Sequence, residues 1–121
     1  MRKLLAALLI AGVAATSHAA TIKTTFSGTF NCTSLERDGD WFVCKKDGKV
    51  LEFPAERVVY AEWEVGGTIV SQPTAVVHFG ENEEIACIYV KPLEDWVVCR
   101  TGTKKFLINK GSVSYIKAVK R

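Results

Sequence analysis

Beyond residue 20, the side chains best suited to chemistry are four cysteines, one histidine and three tryptophans. Cys32 and Cys44 stand twelve residues apart, and so do Cys87 and Cys99. Thiols can hold a metal, act as nucleophiles or form disulfides. A metal site has little to build on. There is no Cys-x-x-Cys, and His78 is the single histidine beyond His18, so a zinc ion would lack its usual ligand set. An even number of cysteines in a short exported chain points to disulfides instead, which removes thiolate chemistry. No Gly-x-Ser-x-Gly is present, His78 has no recognisable nucleophile beside it, and no carboxylate spacing singles out an acid/base pair. The expectation is a protein that is not an enzyme and needs neither cofactor nor metal.

The disulfide reading depends on export, and the N-terminus supplies a signal for it. Arg2 and Lys3 are followed by an apolar run from Leu4 to Ala15, broken only by Gly12, and then by the small residues Ser17 and Ala19. This is the layout of a cleaved secretory signal. The run is shorter than the roughly 20 residues that a membrane span needs. Residues 1–19 are therefore expected to be removed, leaving a mature domain of residues 20–121, periplasmic or secreted, with no transmembrane segment. Loss of Arg2 and Lys3 takes the 16 basic residues to 14 against 13 acidic ones, a net charge of +1. A near-neutral domain without a nucleic-acid motif is not expected to bind nucleic acid.

Sliding the chain until Cys87 falls on Cys32 also lays Cys99 on Cys44, and the match extends without a gap. Asp40-Trp41 falls on Asp95-Trp96, Lys49 on Lys104, Val58 on Val113 and Tyr60 on Tyr115. Over residues 32–64 against 87–119, eight of 33 positions are identical, and Trp, Tyr and both cysteines are among them. Chance rarely aligns the rarest residue types, so the pattern reads as two tandem repeats of about 45 residues. They cover residues 22–64 and 75–119, with a joint at 65–74.

Strand-type residues punctuated by turn signals dominate both repeats. The fold class expected is all-β: a small disulfide-bonded sandwich or barrel. Strands are expected at Ile22–Phe26, Thr29–Leu35, Asp40–Lys46, Lys49–Phe53 and Arg57–Glu64, then Ala75–Phe79, Glu84–Val90, Asp95–Arg100, Lys104–Ile108 and Ser112–Ala118. Ile69–Ser71 could add a short one. Four cysteines allow three pairings. A three-residue loop Arg37-Asp38-Gly39 with Gly in the left-handed place would set Leu35 opposite Trp41 and Cys32 opposite Cys44. Directly opposed residues lie within disulfide reach. Cys32–Cys44 and Cys87–Cys99 are therefore the favoured bonds. The second loop, Pro92-Leu93-Glu94, puts Glu in the left-handed place, where it fits poorly.

Three groups of residues are candidates for binding. Trp41 and Trp96 could form an aromatic platform for sugar rings or a partner protein, although aliphatic neighbours favour the core for both. Trp63 has Ala118 as its counterpart and is the better candidate for an exposed contact. From Trp96 onward the chain carries Arg100, Lys104, Lys105, Lys110, Lys117, Lys120 and Arg121 with no acid. Such a stretch can steer an anionic partner, or it can be lysines guarding strand edges. Glu62 aligns with Lys117, so the halves or two chains could attract each other.

In size and class this profile resembles the small periplasmic inhibitors of lysozyme, with no motif to carry over residue by residue. The function expected is an exported binding module with a protein partner, inhibitor- or immunity-like. Two alternatives stand beside it. One is a binder of anionic envelope glycan or lipid headgroups through the basic stretch. The other is a structural subunit of an envelope assembly, pairing through an edge strand.

Overall fold

The computed structural model describes residues 19–66 and 68–119. Residues 1–18, all within the expected signal peptide, and Lys120 and Arg121 lie outside them. The described residues form twelve strands. The first half holds β1 (Ala20–Thr24), β2 (Gly28–Cys32), β3 (Ser34–Asp38), β4 (Trp41–Lys46), β5 (Lys49–Pro54) and β6 (Val58–Glu64). The second holds β7 (Ala75–Phe79), β8 (Glu83–Cys87), β9 (Tyr89–Leu93), β10 (Trp96–Arg100), β11 (Lys104–Asn109) and β12 (Val113–Ala118). A 3₁₀ turn precedes the last strand of each half, at Ala55–Arg57 and at Lys110–Ser112. Every element of the second half starts at the position that the sequence alignment pairs with the start of its mate in the first half.

Each half is two three-stranded sheets joined by one bent strand. The bend falls at Thr33, whose N–H reaches the Lys45 carbonyl at 2.8 Å, and at Ile88, whose N–H reaches the Arg100 carbonyl at 2.7 Å. The halves are then fused by pairing β6 with β11, which produces a six-stranded sheet of order β2-β1-β6-β11-β10-β9. The other two sheets are β3-β4-β5 and β12-β7-β8. Side chains alternate along β10. Trp96 and Val98 join Ile22, Leu35 and Phe42 in one core, while Val97 and Cys99 join Val77, Phe79 and Cys87 in another. The six-stranded sheet is thus the middle of three layers, with a core on each face. Strands covered on both faces become continuous apolar runs, which accounts for Trp96-Val97-Val98-Cys99 and Phe106-Leu107-Ile108, all buried. Pro92 is tolerated because β9 is an edge strand.

The disulfides are Cys32–Cys44 and Cys87–Cys99, with Cα separations of 5.4 and 5.5 Å. The expected pairing holds, but the geometry behind it differs. Leu35 stands opposite Cys44 rather than Trp41, because a two-residue turn at Gly39-Asp40 sets Asp38 against Trp41. Gly39 takes the left-handed first place of that turn at φ 63°, and Glu94 takes it in the second half at φ 54°. Each disulfide therefore crosses from one sheet to another, from β2 to β4 and from β8 to β10. Ile69–Ser71 forms no strand. The joint is pinned instead by the Val65 N–H on the Thr103 carbonyl at 3.0 Å and the Ile69 N–H on the Gly102 carbonyl at 2.9 Å. A side chain at Gly102 would press on that contact, since a Cβ there comes within 3.1 Å of the Ile69 oxygen.

Trp41 and Trp96 align in sequence and part in structure. Trp96 is 2 % exposed and meets Phe42 edge-on at 5.5 Å between centroids, whereas Trp41 is half-buried. Trp96→Ala should therefore cost about 3–5 kcal/mol of unfolding free energy, and Trp41→Ala clearly less, as read by urea denaturation. Replacing either disulfide by a pair of alanines should cost about 2–4 kcal/mol in the same measurement, given the loop of about a dozen residues each one closes.

Candidate functional site

A cleft of about 640 Å³ opens where the two halves meet, and its lining comes in pairs of positions that the repeats align. Asp40 and Asp95, Trp41 and Trp96, Pro54 and Asn109, Ala55 and Lys110, and Glu56 and Gly111 all line it, with Arg37 added. Two kinds of element present these residues. One is the turn between β3 and β4, with its mate between β9 and β10. The other is the 3₁₀ turn after β5, with its mate after β11. Each turn is tied to its neighbour in the same way. The Ala55 N–H donates to the Asp40 carbonyl at 2.7 Å, and the Lys110 N–H donates to the Asp95 carbonyl at 2.9 Å. Asn109 adds a bond between the halves, its Nδ2 donating to the Val58 carbonyl at 3.0 Å.

The cleft mixes aromatic walls with both signs of charge. The Arg37 guanidinium lies 5.3 Å from the Trp96 ring centroid, within cation–π range, and its Nε donates to the Gly39 carbonyl at 3.0 Å. Asp40, Glu56 and Asp95 contribute carboxylates and Lys110 an ammonium. Among the described residues, no serine, cysteine or histidine lines the cleft. Among the same residues no cluster of three or more His, Cys, Asp or Glu is placed to hold a metal, and no helix is long and apolar enough to cross a membrane.

The residues singled out from the sequence fall in several places. Trp63 is half-buried against the first core, and its indole N–H donates to the Leu35 carbonyl at 2.8 Å, so it braces the fold rather than standing out as an exposed contact. The basic stretch does not gather into one patch. Arg100 is half-buried and donates to the Thr101 carbonyl. Lys104 is ion-paired with Glu62 at 2.8 Å across the β6–β11 joint. Lys105 is exposed on β11, Lys110 lines the cleft, and Lys117 is exposed on β12 in a different sheet. Lys120 lies outside the described residues. His78 stacks on Tyr115 at 4.2 Å, with its Nδ1 3.6 Å from a Glu84 oxygen. This is a cross-strand arrangement, since both are its partners in the ladder. Arg37, Glu56 and the two aspartates were not singled out from the sequence. The one available signal was Asp-Trp, identical in both repeats.

No family model, curated protein or solved structure matches this chain.

The ion pair across the joint has a consequence for pH. The Glu62 carboxylate, by hydrogen bond and then by charge, holds the Lys104 ammonium above its ordinary pKa. Burial raises the Tyr60 phenol in the same ladder. In both cases the folded chain keeps its proton to higher pH than the unfolded chain. For Lys104, stability is therefore fully present below about pH 10 and falls as pH rises beyond it. Because Lys104 is 39 % exposed, the pair is worth at most about 1 kcal/mol. Urea titrations at pH 8 and 11 should show this loss, and Lys104→Met should reduce it.

Proposed function

We propose that the chain is an exported, non-enzymatic binding module, and that the cleft between its repeats receives a protruding segment of a protein partner. The observation that carries this reading is the paired lining of that cleft. Trp and Arg are among the residue types that dominate binding energy at protein interfaces. Here Trp41 and Arg37 flank a short turn held by the backbone hydrogen bond from Ala55 to Asp40, on strands tied to the central sheet by the Cys32–Cys44 disulfide. A scaffold fixed in advance loses little entropy on binding. Carboxylates and an ammonium around the aromatic walls form the polar rim such interfaces carry. The disulfides fit an oxidising compartment, which the N-terminal signal would reach. An inhibitor or immunity-type protein that blocks a secreted or envelope hydrolase fits these features. Binding of anionic glycan or lipid headgroups has less support, because Lys104 is engaged by Glu62 and the other cations are spread over different elements.

The test is a comparison of two immobilised proteins, the oxidised wild type and Arg37→Glu, exposed to envelope and secreted extract and eluted with salt and then denaturant. The reading expects a discrete protein that survives the salt step on the wild type and is largely lost on the variant. Release by salt alone of material rich in glycan or lipid, equal on both proteins, would turn the assignment to the anionic ligand.

A further inference from the structure

The internal joint implies two further surfaces. It pairs the last strand of the first half, β6, with the fifth strand of the second half, β11. The corresponding strands of the opposite halves are β12 and β5, and these do not meet. Each is the edge of a three-stranded sheet. A two-fold relation between the halves would have closed this second pairing, so the relation is head to tail and leaves one copy of each mating edge open. Both open edges carry large apolar side chains. Val50 is 48 % and Leu51 41 % exposed on β5, while Tyr115 is 55 % and Ile116 45 % exposed on β12.

We infer that β12 of one molecule pairs with β5 of a second copy of this chain, head to tail, in the register of the internal joint. That register sets Lys104 against Glu64, Phe106 against Glu62 and Ile108 against Tyr60. Carried to the aligned positions of the other repeat, it sets Lys49 against Val119, Leu51 against Lys117 and Phe53 against Tyr115. Pro54, which has no N–H to give, falls beyond the paired span, as Asn109 does in the joint. One element of the internal joint is inverted. The ion pair of Lys104 with Glu62 becomes Lys49 diagonal to Lys117, two like charges on one face. Like charges across strands oppose pairing, so this lysine pair sets the strength of association and keeps it weak at low salt. This surface is separate from the cleft, and its test does not depend on the cleft's partner.

Sedimentation equilibrium of the exported, oxidised protein at low and high salt decides the matter. Lys117→Glu should tighten self-association at low salt by about tenfold, since it converts a repulsion into the attraction seen inside the molecule. Lys49→Glu should do the same from the other edge. The double variant should fall back to the wild-type level, because it restores two like charges. Salt should weaken association of the single variants and strengthen that of the wild type. Single variants that stay as monomeric as the wild type into the millimolar range would overturn the inference. So would a double variant that associates as strongly as the singles, which would mark general aggregation rather than edge pairing.

Discussion

The pairing of β6 with β11 is the constraint on which the rest of the molecule depends. Five cross-strand residue pairs turn two three-stranded sheets into one sheet of six. They also place sheet β3-β4-β5 against one face of that sheet and β12-β7-β8 against the other. The shared sheet carries a core on each of its faces. Each half alone is close to the size at which a hydrophobic core ceases to suffice. With the joint made, β10 and β11 serve two cores at once, Trp96 and Leu107 on one side, Cys99 and Phe106 on the other. The Lys104–Glu62 pair adds little energy beside that burial. Charge pairs on neighbouring strands commonly help to select which strands meet.

Head-to-tail fusion makes equivalent positions inequivalent, and this is where sequence and structure diverge. Two identical tryptophans in identical motifs would both be assigned to the core from their neighbours. Trp96 is there because its outer face is covered by the first half. Trp41 occupies the same place in a sheet that no second half covers. The substitutions between repeats follow the same logic. Leu107, which faces the first core, has Glu52 as its counterpart. Glu62 at the joint becomes Lys117 at the open edge. Trp63, whose N–H is used inside the first half, becomes Ala118. Such differences are visible in an alignment of the repeats, but they acquire meaning only once the joint is known. The all-β class and most strand positions could be read from local patterns alone. The joint is a long-range choice between free edges, and no local pattern encodes it.

The disulfides illustrate a correct pairing reached through the wrong geometry. A three-residue loop would have put Cys32 and Cys44 face to face on neighbouring strands. The chain instead makes a two-residue turn, because Gly39 readily takes the left-handed first position. That turn moves the register and leaves Cys32 on β2, in a different sheet from Cys44. The bond then locks two layers together close to the bend at Thr33. This position suits a crosslink better than a ladder already held by backbone hydrogen bonds. A disulfide between layers holds them together directly and also limits the unfolded chain. Glu94 shows the same geometry imposed without a glycine, at a cost in backbone strain of order 1 kcal/mol that the surrounding fold must offset.

The cleft is a product of the joint in the same sense. A single half supplies one Asp-Trp turn and one 3₁₀ turn, which together make half of a wall. Only the fusion brings the second set opposite the first, and Asn109 then bonds across to Val58 to hold them there. The two halves do not contribute equally. Trp96 is buried with the Arg37 guanidinium over its ring, while Trp41 is half-buried. Lys110 and Gly111 stand where the first half has Ala55 and Glu56. The walls therefore differ in charge, the first half giving Arg37, Asp40 and Glu56 and the second Asp95 and Lys110. That asymmetry follows from repeats that differ in sequence once they occupy different places in the fold. It removes from the cleft the symmetry that a pair of identical walls would have imposed.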